Sequence, residues 1–269
     1  MINVIQEPFH QDRLDYVDKP LNFHGLYRKN GIVQVDSIDS EGCGDILRTL
    51  AYSKKLQSIL GEKVGIKFFC KDDSYHLLIS VIRQVKFLDD FAEVSIEIIP
   101  RLSDKLSYSV KWIRYQRAWS MLNWMEYPDL DLKRTPQDRG YVAIWDSGEN
   151  INYPPRWKDP VHPASMWELA KTVNQDIKRV SYRMSMDYVF ETIANASFCI
   201  GYEGLGNVIG YNYKKPMIIF SESSIISRAT SGPWARIFPR VDSSLVNNID
   251  RIIDEQRVMI NESEKTSQD

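Results

Sequence analysis

From residue 31 onward the chain alternates short β-branched runs with stretches of helical periodicity. Ile32-Val33-Gln34-Val35-Asp36-Ser37-Ile38 reads as a strand. The turn DSEGCGD follows, with two glycines. Then comes ILRTLAYSKKLQSIL, whose apolar residues at 46, 47, 50, 51, 56, 59 and 60 repeat with helical spacing. Gly61 suits the helix stop, and Val64 to Cys70 reads as the next strand, so residues 32–70 predict one βαβ unit. His76 to Val85 predicts a second helix, and Val94 to Pro100 alternates as a strand. Residues 1–30 are polar with mixed aromatics and read as an irregular arm.

The stretch PDLDLKRTPQDRG at 128–140 is polar with two prolines and reads as an inter-domain linker. A second set of elements starts at the strand Tyr141 to Trp145, followed by the turn DSGEN and a loop with four prolines at 151–163. Ser165, with Glu168 three residues on, has the spelling of a capping box that would start a helix through Trp167, Leu169, Ala170 and Val173. Residues 177–182 predict a short strand, Met186 to Asn195 a helix, and Phe198 to Tyr202 an apolar strand. A glycine turn, Glu203-Gly204-Leu205-Gly206-Asn207, leads to a helix from Val208 to Tyr213. The strand Pro216 to Phe220 comes next, then an amphipathic helix at 245–260 and a tail at 261–269 expected to be disordered. Strand and helix alternate in both halves. The fold class is therefore α/β, with two Rossmann-like domains, at 31–135 and 136–260, whose mostly parallel sheets face each other across a cleft.

Composition narrows the function classes. The 269 residues carry 34 Lys+Arg against 36 Asp+Glu, a net charge of -2, which excludes a protein that coats nucleic acid by charge alone. Three widely separated cysteines (Cys43, Cys70, Cys199) suit a reducing, cytoplasmic setting better than a disulfide framework. The four histidines are scattered and no zinc-type spacing occurs, so no metal site and no resident cofactor are expected. The N-terminus has no apolar signal core, and no stretch approaches a membrane span.

Candidate chemistry lies in four places. Gly44 and Asp45 stand between the first strand and its helix, where Asp45 either caps the helix or acts as a general base on an attacking hydroxyl. At the second glycine turn, the backbone N–H groups of Gly204, Leu205, Gly206 and Asn207 can cradle a diphosphate and Glu203 can hold ribose hydroxyls; close helix–strand packing explains the same glycines. Arg156 and Lys158, in the proline loop, suit phosphate oxygens or serve as solvated loop charges. Residues 101–124 hold five bases against one acid, interleaved with Trp112, Tyr115, Trp119 and Trp124. Lys111, Arg114 and Arg117 there could line an acceptor groove, although the spacing of 112, 115 and 119 also fits a buried helix face.

Gly44-Asp45-Ile46-Leu47-Arg48-Thr49-Leu50 resembles the N-terminal signature of the heptosyltransferase-like glycosyltransferase family 9. So does the run from Ala194 through Cys199, Gly201, Glu203 and Gly204 to Lys215-Pro216-Met217-Ile218-Ile219-Phe220, which is similar to that family's donor segment. The resemblance covers roughly 32–60 and 141–220. It implies a GT-B fold with the nucleotide-sugar held mainly by the C-terminal domain. Asp45 would then be the catalytic base, Lys158 a phosphate-binding lysine, and Glu203 with Gly204 the nucleotide-binding turn. Asn207 stands where the family places a His.

The expected activity is transfer of a sugar from a nucleotide-diphosphate donor to an acceptor hydroxyl, on a glycan or on a hydroxymethylated DNA base. The alternative is a non-catalytic nucleotide- or sugar-binding module with a retained fold. An epimerase would show a full dinucleotide fingerprint, which is missing.

Overall fold

A computed structural model describes residues 2–5, 26–37, 43–71, 75–99, 130–146, 161–181, 183–202, 204–221 and 234–266. The chain separates into two compact units, Met1–Asp131 and Leu132–Asp269. The second unit starts before residue 136: Arg134 already pairs with Asp187 and Glu191, and just beyond it the Gln137 and Arg139 amides donate to the carbonyls of Ala194 and Asn195.

The first unit holds β1 (Ile2–Ile5), β2 (Leu26–Lys29), β3 (Ile32–Ser37), α1 (Cys43–Leu60), β4 (Val64–Lys71), α2 (Tyr75–Ile82) and β5 (Glu93–Ile99). They form a five-stranded sheet in the order β1-β5-β4-β3-β2, parallel except for the β2–β3 hairpin. Two stretches of the expected N-terminal arm are therefore strands. The hairpin turns at Asn30 and Gly31, both at positive φ (53° and 83°). This is type I′ geometry, whose twist matches that of the strands, and Asn-Gly adopts it with little strain. Val33, Val35, Val64, Ile66, Phe68, Val94 and Ile96 bury one face, together with Ile46, Leu47 and Leu50 of α1 and Leu78, Val81 and Ile82 of α2. Residues of the opposite parity, Gln34, Lys67 and Ser95, are buried polar groups. α1 begins at Cys43, so Gly44 and Asp45 lie inside its first turn rather than in the preceding loop, and Asp45 is not its N-cap.

The second unit holds β6 (Val142–Trp145), α3 (Pro163–Val173), β7 (Ile177–Val180), α4 (Met186–Asn195), β8 (Phe198–Tyr202), α5 (Leu205–Asn212), β9 (Met217–Phe220), β10 (Ala235–Phe238) and α6 (Ser243–Thr266). Its sheet runs β10-β9-β8-β6-β7, parallel throughout. Counted within the unit, that is second-first-third-fourth-fifth, the flavodoxin-like doubly wound order. The inner strands VAIW, FCIGY and MIIF are nearly unbroken apolar runs because both faces of a doubly wound sheet are covered. Val142, Ile144, Phe198, Ile200, Ile218 and Phe220 pack against α3 and α6. The alternate residues Ala143, Cys199, Gly201, Met217 and Ile219 line a cavity with Ile193 of α4 and Gly206 of α5. The edge strand β7 is half-buried and carries Lys178 and Arg179, charges that discourage pairing with another chain.

Three boundaries differ from expectation. α3 starts at Pro163 with His162 as its N-cap: the His162 Nδ1 accepts from the Ala164 amide at 3.1 Å. Pro163 supplies the φ of a first helical residue, and Glu168 pairs with Lys171 at 2.8 Å instead of closing a capping box on Ser165. α5 starts at Leu205, three residues before Val208, because the turn itself is its first turn. α6 runs on through Thr266, so most of the expected tail is helix; Asp242 Oδ1 starts it by accepting from the Leu245 amide at 2.9 Å.

Candidate functional site

In an open α/β sheet, ligands bind beyond the carboxyl ends of the strands where the strand order reverses. In the second unit that point lies between β6 and β8. The first residue past each of four strands is polar: Asp146 after β6, Ser181 after β7, Glu203 after β8 and Ser221 after β9. Asp146, Ser181 and Ser221 are buried. A polar rim on an apolar sheet is the composition of a small-molecule site.

Asp146 is 2% exposed and its Oδ2 accepts from Nε of Arg179, whose side chain is 28% exposed. Arg179 stands on β7 opposite Ile144, two residues short of the rim, and its length carries the guanidinium up to Asp146. Across the switch point the Tyr202 hydroxyl donates to the carbonyl of Val161. The connection between β6 and α3, which carries Arg156 and Lys158, is therefore fixed at both ends: at Asp146 on β6 and at Val161 by β8.

The glycine turn is built around Trp145. A Cβ at Gly201 would lie 2.6 Å from the Trp145 carbonyl oxygen and 2.8 Å from its Cβ, and one at Gly206 would overlap the indole. Gly204 has φ 154° and ψ -150°, a backbone region essentially closed to other residues. Its amide donates to Asn207 Oδ1 at 2.6 Å. Asn207 is 1% exposed, and its side chain shapes the turn from inside. The first N–H groups of an α-helix have no intrahelical acceptors, and those of α5 stand at this rim.

The structure thus brings Gly204, Leu205, Gly206 and Asn207 together at the switch point. Gly44 is buried in α1, and Asp45 occupies the third helical position, with its side chain outside the described residues. Arg156, Lys158, Glu203, Lys111, Arg114 and Arg117 also lie outside them. The sequence reading missed Trp145, the Asp146–Arg179 pair and the Tyr202–Val161 tie. The signal for the rim was present, as a polar residue closing each apolar run.

Lys215, in the donor-like segment Lys215-Pro216, precedes β9 and so sits at the opposite, amino edge of the sheet. It is buried, its Nζ donates to the Gln137 carbonyl at 3.5 Å, and burial lowers its pKa. Nearby Cys199 is buried at 8% exposure, and desolvation pushes its thiol up to about 12. Because the thiolate is the nucleophile, Cys199 stays unlabelled by iodoacetamide at pH 8 in the native protein and reacts once the chain is unfolded in urea. Peptide mass mapping reads this; labelling of native Cys199 at the unfolded rate would show that its enclosure is not maintained.

Among the described residues no group of three or more His, Cys, Asp or Glu could hold a metal ion. No helix among them is long and apolar enough to cross a membrane.

No family model and no curated protein matches the chain. Solved structures do. The iron-containing dodecameric glycosyltransferase TibC from enterotoxigenic E. coli H10407 is similar at 12% identity and TM-score 0.47, over 76% of this chain and 61% of that one. The ADP-heptose lps heptosyltransferase II of E. coli is similar at 11% identity and TM-score 0.46, over 85% and 99%. A glycosyl transferase family 9 protein from Veillonella parvula DSM 2008 matches at 12% identity and TM-score 0.28, over 97% and 87%. The chain thus spans about three fifths of the TibC chain. Likenesses at this level assign neither activity nor substrate.

Proposed function

We propose that the protein is a glycosyltransferase that takes a sugar from a nucleotide-diphosphate donor. The observation that carries this reading is the switch point of the second unit. There a glycine turn opens α5 beside a rim of Asp146, Ser181 and Ser221, a place suited to a diphosphate. The local resemblance of the Gly44-Asp45 and Gly201–Gly204 segments to glycosyltransferase family 9 supports the same reading.

The chemistry follows from these parts. The acceptor hydroxyl attacks the anomeric carbon and gives its proton to Asp45. The bond from that carbon to the diphosphate oxygen breaks, and the leaving diphosphate takes the electron pair. Helix N–H groups of α5, with Arg156 and Lys158, stabilise the charge as it develops, commonly the largest catalytic contribution. Glu203 would hold the ribose. The acceptor is a hydroxyl of a glycan or of a hydroxymethylated DNA base.

A thermal-shift panel of nucleoside diphosphates and their sugars tests the donor. Ligand present at about 100 times its Kd stabilises the fold by about 2.7 kcal/mol, so one base and sugar should stand out. A flat panel overturns the reading. With the donor known, Asp45→Asn should bind it normally and lose transfer. Full transfer by a folded Asp45→Asn removes the base assignment. Tight donor binding with no turnover on glycans or hydroxymethylated DNA would instead identify a non-catalytic binding module. A gel shift with a salt titration tests DNA separately, since phosphate contacts give a steep salt slope.

A further inference from the structure

Trp145 is the last residue of β6, on the switch point itself. Val142, Ala143 and Ile144 before it are buried, whereas Trp145 is half-buried. Its neighbours have given up side chains to seat it. The closest atoms to a Cβ at Gly201, Gly204 or Gly206 all belong to Trp145, and the Gly204 position would lie 3.5 Å from the indole Nε1. The indole therefore rests on the start of α5, beside the amides of its first turn. A cavity of about 10 Å³, room for one water, borders it along with Gly206 and Asn207.

Such a seat does two things. It fixes the indole in one orientation, which lowers the ordering cost of binding against it. It also leaves part of Trp145 uncovered at the end of the strand, within a nucleotide's length of the helix N-terminus. Trp145 is the one residue of β6 that is not fully covered by that packing. We infer that Trp145 is the platform on which the base of a nucleoside diphosphate stacks, with its phosphates toward α5. The inference rests on the nucleotide-sugar reading above and adds to it the residue that senses the base. It also accounts for Gly201 and Gly206, whose missing side chains make room for the indole.

The test compares ADP and UDP with inorganic pyrophosphate, which has no base to stack. Trp145→Leu keeps apolar bulk without a π face, and Trp145→Phe keeps a smaller ring but removes this one of the seven tryptophan fluorophores; thermal unfolding verifies both folds. The better-bound diphosphate should weaken about tenfold in Trp145→Leu, the scale of one lost base–aromatic stack, while pyrophosphate affinity stays unchanged. The same nucleotide should alter tryptophan fluorescence in the parent protein, and that change should vanish in Trp145→Phe although binding persists. If nucleotide and pyrophosphate weaken together, Trp145 supports the turn but touches no base. If nucleotide affinity is unchanged in Trp145→Leu, the base lies elsewhere. Either result overturns the inference and leaves the nucleotide reading standing. Failure of the parent protein to bind any nucleoside diphosphate overturns both.

Discussion

Gly201→Ala should cost the second unit about 3 kcal/mol, the upper range for forcing a methyl into a packed interior. The added Cβ would sit 2.6 Å from the carbonyl oxygen of Trp145. Gly201 and Trp145 are register partners on adjacent parallel strands, so that oxygen is held by the sheet and cannot swing aside. Relief requires the β6–β8 pairing to spread at the switch point. In a unit of this size the loss corresponds to roughly 10 °C in Tm. Gly206→Ala is the companion test. The nearest atoms to its Cβ are Trp145 Cγ at 2.4 Å and Cβ at 2.7 Å, the base of the side chain, which turning the ring does not clear. A loss of similar size is therefore expected. Calorimetry on both variants checks this; a loss under about 1 kcal/mol in either would mean that β6 shifts readily at the switch point.

Arg179→Met should cost about 3 kcal/mol, the low end for removing one partner of a buried ion pair. The cost arises at Asp146 rather than at Arg179. Asp146 is 2% exposed and cannot recover its hydration, while Arg179, at 28%, keeps part of its own. Asp146→Asn combined with Arg179→Met removes the buried charge along with this partner and should regain part of the loss. A double-mutant cycle by urea denaturation measures this coupling. Simple additivity of the two substitutions would show that the pair is not a unit.

Much of the fold could be read from the residues because parallel strands covered on both faces leave a plain signature. VAIW, FCIGY and MIIF could hardly be anything else, and helices of opposite periodicity separate them. The misses have physical causes. ARIF at 235–238 is an edge strand with half-buried residues, so its pattern is weak. The β2–β3 hairpin was announced by Asn30-Gly31 but hidden in a polar, aromatic context. His162 caps α3 through a ring nitrogen, a role that histidine seldom signals, and Ser165 with Glu168 offered a better-known spelling nearby. At the site, the glycines of 201–206 marked the right turn but not its reason. A missing side chain shows that something comes close, without showing whether it is a ligand or a tryptophan. Identifying Trp145 as that neighbour required the register of β6 on β8, which no short motif contains.

The two ties at Asp146 and Val161 bear on how this protein can change over evolutionary time. They fix both ends of the 14 residues at 147–160 while leaving their number unconstrained. The entropy of closing a chain segment grows only with the logarithm of its length, so doubling this one would cost about 0.6 kcal/mol. On chain-closure entropy alone, a change of length between the two ties therefore costs little, and both ties can stay in place while the residues between them are replaced.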